Sequence, residues 1–248
     1  NSTHTLPFRQ NAAPLLLHWN ENSLGMSPNA LSAAKHAIEN CGNRYPDASV
    51  DQFKLKLADH HNVKPEQIIF GNGSTEVLQA IATYAAQNNA TMVEPSPTFG
   101  DLNGYCKAEN LKVIQVPVEQ NFEMDIAALK KQAMAQTGSV LINICNPNNP
   151  TGNIVDFTTL FDWINNAPET HLFLLDEAYF DYAQANARYK SGLALINQGK
   201  DNVVITRTFS KVHGMAGMRM GYGIATENTA HKIKPFAAGF NLSAAALA

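Results

Sequence analysis

The chain has 248 residues, a formal net charge of −3, 45% hydrophobic residues and 16% charged residues. No run of Lys and Arg marks a nucleic-acid surface, and no apolar stretch approaches the roughly 20 residues that a membrane-spanning helix needs. Cys41, Cys106 and Cys145 have neither a CxxC nor a metal-ligand spacing. They are interpreted as reduced thiols, and no metal site is predicted.

The length suits one large domain or two modest ones. We interpret residues 1–28 as an N-terminal arm and residues 29–248 as one large domain. The first residue is Asn1 rather than Met, and no charged and apolar leader segment follows it. The cytoplasm is therefore the expected location, with a cleaved export signal left open.

Short apolar stretches alternate with amphipathic helical segments along the chain. The predicted strands cover residues 67–70, 91–94, 111–116, 140–144, 172–176, 203–206 and 221–225. The predicted helices cover residues 29–40, 50–61, 75–87, 126–135 and 157–165. This alternation favours an α/β fold with a mostly parallel central sheet flanked by helices, and with functional residues on the loops that follow strands.

The most informative stretch is TFSKVHGMAGMRMGY, residues 208–222. It places Lys211 among hydroxyl side chains and Arg219 eight residues later. A lysine that forms a Schiff base with pyridoxal 5′-phosphate needs such neighbours, because the phosphate must be held so that the ring stays in place. An exposed lysine and arginine on a glycine-rich turn are otherwise ordinary solvated charges, so further evidence is needed.

Asp176 and Tyr179 supply part of that evidence. Asp176 ends the apolar run LFLLD, residues 172–176, where a carboxylate can pair with a protonated pyridine nitrogen. A helix-capping aspartate is the alternative interpretation. Tyr179 can donate a hydrogen bond to a ring phenolate oxygen, although buried tyrosines more often only pack and bond to the backbone.

Two glycine- and asparagine-rich turns add to the pattern. Asn149 lies in NPNNPTG, residues 146–152, and can bind the same phenolate oxygen and a substrate carboxylate, although an ordinary turn also explains the composition. In FGNGSTE, residues 70–76, a strand passes into a helix through glycines. Free N–H groups and the helix dipole there can bind an anion. The spacing differs from that of dinucleotide-binding and P-loop motifs.

In this order, the four segments resemble the large domain of fold-type I pyridoxal-phosphate enzymes, the aspartate aminotransferase superfamily. Within it, the chain resembles the histidinol-phosphate aminotransferase branch from about Trp19 to its end. That closer resemblance rests on NENSLG at residues 20–25, NRYPD at 43–47, GNGSTE at 71–76, PSPTF at 95–99 and NPNNPTG at 146–152.

The resemblance implies a role for each matching position. Lys211 would bond to the cofactor and then act as general base, Asp176 would face the pyridine nitrogen, and Asn149 and Tyr179 would hold the phenolate oxygen. Phe99 would stack on the ring. The implied phosphate ligands are Ser74, Thr75, Thr208, Ser210 and Arg219, with Gly73 as a further cofactor-binding position.

Tyr45 matches a family tyrosine that reaches the phosphate of the neighbouring subunit, which implies a homodimer with shared active sites. Asn149, Leu24 and Gly25 are the implied substrate-binding positions. Leu24 stands where many histidinol-phosphate enzymes have a tyrosine that contacts substrate, which leaves the substrate side chain open. Thr75 stands where that branch commonly has an acidic residue, and its hydroxyl and N–H can still donate to phosphate.

The resemblance implies transfer of an amino group between an amino acid or amino-alcohol phosphate, histidinol-phosphate-like or aromatic, and a 2-oxo acid. A decarboxylase or lyase similar to threonine-phosphate decarboxylase is the enzymatic alternative, and an aminotransferase-like ligand-sensing domain is the non-enzymatic one. Family members continue into a smaller C-terminal domain with an arginine for the substrate carboxylate. No residue here matches that arginine, so we expect the small domain to be absent from this chain.

Overall fold

The computed structural model describes residues 17–248, so most of the predicted arm, residues 1–16, lies outside the described residues. Seven strands form one sheet in the order β1-β7-β6-β5-β4-β2-β3. The strands are β1 (Ile68–Asn72), β2 (Thr91–Ser96), β3 (Val113–Pro117), β4 (Val140–Cys145), β5 (His171–Asp176), β6 (Val203–Thr208) and β7 (Met220–Ala225).

The sheet is mostly parallel, as the sequence predicts. β2 pairs in parallel with β3 and β4, and the parallel pairing continues through β5 to β6. β7 is antiparallel to both of its neighbours, β6 and β1. The carboxyl ends of β4, β5 and β6 therefore meet at one edge, which is where an open α/β sheet places its ligands.

Helices cover both faces of this sheet. The five that periodicity predicts are α1 (Pro28–Cys41), α2 (Asp47–His61), α3 (Ser74–Gln87), α5 (Ile126–Met134) and α6 (Phe157–Asn165). The others are α4 (Asp101–Ala108), α7 (Phe180–Ala183), α8 (Leu193–Ile196), α9 (Glu227–Ile233) and α10 (Ala244–Leu247). Across residues 17–248, no helix combines the length and the apolar character that a membrane crossing requires.

Alternating strand residues divide the core into two layers. Leu141, Leu174 and Val204 pack with α3, α4 and α9 on one face. Their sequence neighbours Ile142, Phe173 and Ile205 pack with α5, α6 and α8 on the other face. Because successive side chains of a strand point to opposite faces, this division fixes the face on which each strand-end residue lies.

The described end of the predicted arm lies against the loop that follows β6. Asn22 Nδ2 donates to the Val212 carbonyl at 2.9 Å. A Cβ atom at Gly214 would lie 2.2 Å from the Gly25 carbonyl oxygen, so only glycine permits this approach. Residues 17–27 are thereby held beside Lys211.

Candidate active site

A cavity of about 540 Å³ opens at the carboxyl edge of the sheet. It is lined by residues 18–21, the turn into α3, the loop into α4, the loops after β4 and β5, and the segment from the end of β6 to the start of β7. The predicted site residues that line it are Ser74, Thr75, Phe99, Asn149, Asp176, Tyr179, Thr208, Ser210, Lys211 and Arg219. The fold thus brings together residues that are up to 145 positions apart (219 − 74 = 145).

Lys211 is half-buried in this cavity, and its Nζ donates to the Trp19 carbonyl at 2.9 Å. The same nitrogen lies 5.6 Å from the centre of the Tyr179 ring. Burial lowers the pKa of Lys211, and Arg219 adds to the shift, while Glu21 and Asp176 oppose it. Loss of hydration disfavours the ammonium form, so the amine is closer to the neutral state in which it is a nucleophile and a base.

Asp176, the last residue of β5, is 4% exposed. Its Oδ1 accepts hydrogen bonds from the Thr206 hydroxyl at 3.0 Å and from the Ala178 N–H at 3.2 Å. Oδ2 accepts none from the residues that the structure describes. Burial raises the pKa of Asp176 to about 6 even with these two donors. A cationic or protonated partner at Oδ2 would remove the cost of this buried charge.

Tyr179 and Asn149 meet on one side of the cavity. The Tyr179 hydroxyl accepts from Asn149 Nδ2 at 3.4 Å and from Asn20 Nδ2 at 2.9 Å. Since both contacts use its oxygen as acceptor, the hydroxyl proton is free to donate to a ligand oxygen. The asparagine loop is fixed to the segment that carries Phe99, because Thr98 Oγ1 donates to Asn148 Oδ1 at 2.8 Å.

The amino end of α3, at Ser74 and Thr75, lines the cavity. Helix α3 begins at Ser74, directly after Gly73 with φ 74°, and no side chain of the described residues caps it. By contrast, α1, α5, α6 and α9 each begin with a side-chain cap. A Cβ at Gly73 would lie 2.3 Å from Arg219 Nη2, so glycine is required for the arginine to approach this turn. Uncapped N–H groups beside a guanidinium suit a phosphate.

Arg219 is itself in the left-handed region, at φ 55°. Its guanidinium spans the gap between β1 and the lysine segment, with Nη1 3.4 Å from Ser210 Oγ and Nη2 3.4 Å from the Asn72 carbonyl. The Thr208 hydroxyl donates to Ser210 Oγ at 2.9 Å. Two hydroxyl side chains and one guanidinium cation are therefore gathered at one end of the cavity, where the cation would attract a dianion.

Sequence reasoning missed Asp101, which lines the same cavity at the start of α4. Burial raises the pKa of its carboxyl, and the side chain of Thr75 opposes this shift. Trp19 and Glu21 also line the cavity. Only the NENSLG segment pointed to this part of the chain, and nothing in the sequence singled out Asp101.

Tyr45, Leu24 and Gly25 lie outside the lining of the cavity. Tyr45 is 77% exposed and its ring centre lies 5.0 Å from that of Phe240. Leu24 is 91% exposed. Gly25, with φ 77°, contacts the loop after Lys211 through its backbone. A single chain therefore does not bring Tyr45 to its own cavity.

Comparison with known proteins places the chain in a family. The model of the aminotransferase class I and II family matches residues 13–248. A histidinol-phosphate aminotransferase of Moorella thermoacetica is 37% identical over 90% of this chain and 57% of that protein. One from Geobacillus sp. strain WCH70 is 38% identical over 92% of this chain and 61% of that protein.

Solved structures agree with this match. The crystal structure of histidinol-phosphate aminotransferase from Sinorhizobium meliloti, in complex with pyridoxal-5′-phosphate, superimposes with a TM-score of 0.83 at 28% identity. The match covers 92% of this chain and 61% of that one. The chain thus spans about three fifths of the length of these relatives. It belongs to the aminotransferase class I and II family, and the predicted resemblance to the histidinol-phosphate aminotransferase branch is confirmed.

Proposed function

We propose that this chain is the cofactor-binding part of a pyridoxal 5′-phosphate-dependent aminotransferase. It would move an amino group between an amino acid or amino-alcohol phosphate and a 2-oxo acid. The observation that carries the proposal is that two groups with shifted pKa values line the same cavity. Burial lowers the pKa of the Lys211 amine and raises the pKa of the Asp176 carboxyl. Groups shifted in this way inside a cleft are characteristic of functional sites.

The cavity suits the cofactor at both ends. Asp176 Oδ2 is a buried acceptor that would accept a hydrogen bond from the N–H of a pyridinium ring. Arg219, Ser210 and the start of α3 offer the donors that a phosphate needs. Phe99 is half-buried at the cavity wall, where an aromatic face can stack on a ring. When bound, the cofactor supplies an electron sink for negative charge at the substrate Cα.

Each site residue of this chain has a proposed role in the reaction. The Lys211 amine would hold the cofactor covalently and, once a substrate amine has taken its place, would serve as the general base for the Cα proton. Asp176 keeps the ring nitrogen protonated. Tyr179 and Asn149 hold the phenolate oxygen and limit rotation of the ring. Asn149, Leu24 and Gly25 stay proposed substrate-binding positions.

A homodimer belongs to the proposal. Tyr45 is exposed and lies away from the cavity of its own chain. These facts support the expectation that it reaches the phosphate held by a partner subunit. The exposed apolar side chains Leu24, Ile38 and Phe240 are available for burial in such an interface. The division into an arm and a large domain, and the cytoplasmic location, stay predictions.

The test is an amino-donor screen on the intact protein with pyridoxal 5′-phosphate and 2-oxoglutarate, which includes histidinol phosphate and aromatic amino acids. We expect glutamate to form together with a carbonyl product. Release of carbon dioxide without amino transfer would indicate the decarboxylase alternative instead. Donor binding without any product would indicate a ligand-sensing domain. The aminotransferase relatives, 37% and 38% identical, favour the first outcome.

A further inference from the structure

A buried ion pair lies directly behind Asp176. Glu177, the next residue, is 3% exposed, and Arg207 of β6 is 6% exposed. Arg207 Nε and Nη2 both donate to Glu177 Oε2, at 3.0 and 2.9 Å. Arg207 follows Val203 and Ile205 at two-residue intervals, so it lies on the sheet face opposite Thr206 and Asp176.

Both members of this pair have further hydrogen-bond partners, since Arg207 Nη2 also lies 2.9 Å from the Ser191 hydroxyl oxygen. The Ser191 hydroxyl donates to Glu177 Oε2 at 2.8 Å, and the Gly192 N–H donates to Oε1 at 2.8 Å. The Arg207 guanidinium carbon lies 3.6 Å from the centre of the Phe180 ring. Buried ion pairs contribute little net stability, since desolvation offsets their attraction, so this arrangement suggests a role other than stability.

The pair ties together the residues that hold Asp176. The two donors to Asp176 Oδ1 are the Thr206 hydroxyl and the Ala178 N–H. Thr206 immediately precedes Arg207, and Ala178 immediately follows Glu177. In addition, the Glu177 N–H donates to the Thr206 carbonyl at 2.9 Å, which continues the β5–β6 pairing one residue past the end of β5. The ion pair on one face therefore fixes both donors on the other face.

We propose that Glu177 and Arg207 are positioning residues for the reaction, which keep Asp176 Oδ2 turned into the cavity where the ring nitrogen of the cofactor binds. The inference rests on the proposed function. Neither residue lines the cavity, so both act only through Asp176. Loss of either one lets the ends of β5 and β6 shift and weakens the hydrogen bond to the ring nitrogen.

The experiment uses the intact protein loaded with pyridoxal 5′-phosphate labelled with ¹⁵N in the ring. The variants are Glu177→Gln and Arg207→Lys, where the second keeps the charge but loses the two-nitrogen fork. Glu94→Gln is the matched control, because Glu94 is a carboxylate 1% exposed whose partners are the amides Asn103, Gln115 and Asn143. The ¹⁵N shift, the cofactor Kd and the melting temperature are measured at one neutral pH.

We expect the wild type and Glu94→Gln to show a protonated ring nitrogen. Both variants of the pair should shift the signal toward unprotonated pyridine and weaken cofactor binding about tenfold. A lowered melting temperature with wild-type ¹⁵N shift and Kd in both variants would overturn the inference and leave the proposed function intact. A wild type that binds no cofactor would overturn both. If Glu177→Gln does not fold, Arg207→Lys decides alone.

Discussion

The two edges of the sheet carry cavities that differ in chemistry more than in size. The larger one, about 750 Å³, lies at the amino ends of the parallel strands, beside Val140 and His171. The smaller one, about 540 Å³, lies at the carboxyl ends. Each is lined by lysine and carboxylate side chains: the first has two lysines, Lys200 and Lys232, with Asp201, and the second has Lys211 with Asp176.

The difference is in how the carboxylates are satisfied. Both oxygens of Asp201 accept a hydrogen bond, Oδ1 from the Thr226 hydroxyl and Oδ2 from Asn228 Nδ2. The Thr226 hydrogen bond lowers the pKa of that carboxyl. Among residues 17–248, both donors to Asp176 bond to the same oxygen, Oδ1, and burial raises the pKa of this carboxyl. A group whose charge is already satisfied has little to gain from a ligand. An incompletely paired, desolvated charge therefore identifies the site better than cavity volume does.

The largest expected effect is a loss of turnover when the lysine of the smaller cavity is replaced, but not when the lysines of the larger cavity are. Lys211→Ala should lower turnover by at least about 10³-fold, because the variant lacks both the nucleophile and the proton carrier. Lys200→Ala and Lys232→Ala are the matched controls from the larger cavity and should keep wild-type turnover. Steady-state assays of the three variants, with circular dichroism to confirm folding, measure the difference.

Borohydride reduction gives a second readout for the same lysine. Reduction of the C=N bond makes a stable secondary amine, so peptide mapping should find the cofactor on the peptide that contains Lys211 alone. Label on Lys200 or Lys232, or substantial turnover by Lys211→Ala, would contradict the assignment of the carboxyl edge.

Arg219→Ala tests the phosphate end of the smaller cavity. Cofactor binding should weaken by about 2 kcal/mol, roughly thirtyfold, since hydrogen bonds to charged groups contribute about 1.5–3 kcal/mol. Arg219→Lys should recover only part of the loss, because an ammonium cannot reproduce a bidentate fork. Titration of the apoprotein with pyridoxal 5′-phosphate measures both. An unchanged Kd for Arg219→Ala would remove this residue from the site.

The raised pKa of Asp176 predicts a trade between stability and function. Its folded pKa, about 6, lies above the unfolded value of about 3.9. The folded chain therefore binds this proton more tightly, and its contribution to stability is lost as pH rises from about 4 to about 6. Asp176→Asn should raise the free energy of unfolding of the cofactor-free protein by about 3 kcal/mol at pH about 7, and weaken cofactor binding.

Urea denaturation at pH about 4 and about 7 checks this prediction. The stabilisation should be present at the higher pH and largely absent at the lower one, where the wild-type carboxyl is protonated. An equal difference at both values would mean that the amide changes packing rather than charge.

The sequence predicted the sheet well because strand composition is a local property. All seven strands were found, since short apolar runs bounded by turns need no knowledge of the rest of the chain. Helix α4 was missed because Asn103 and Gly104 are poor helix formers. It forms because Leu102 and Cys106 are buried against the sheet, a tertiary contact that the sequence does not display.

The distinction between local sequence signals and tertiary contacts also applies to the site. Lys211, Asp176 and Asn149 stand in short segments whose residue types suggest their chemistry. The roles of Asp101 and Trp19 could not be predicted, because one depends on a contact with Thr75, 26 positions away, and the other on a backbone carbonyl that any residue provides. The assignments of the individual site residues stay predictions, for which the variants above are the tests.

The smallest expected effect comes from a mixed-dimer assay, which tests whether a second chain contributes Tyr45 to the smaller cavity. A mixed dimer pairs one Tyr45→Phe subunit with one Lys211→Ala subunit. If Tyr45 crosses a twofold interface, one of its sites bears both defects and the other bears neither. Such a dimer should keep about half of the wild-type activity. If Tyr45 serves its own chain, the dimer keeps only half of the activity of Tyr45→Phe. A wild-type and Lys211→Ala dimer, which keeps half under either arrangement, is the control. Activity equal to half that of Tyr45→Phe would limit the carboxyl-edge site to one chain.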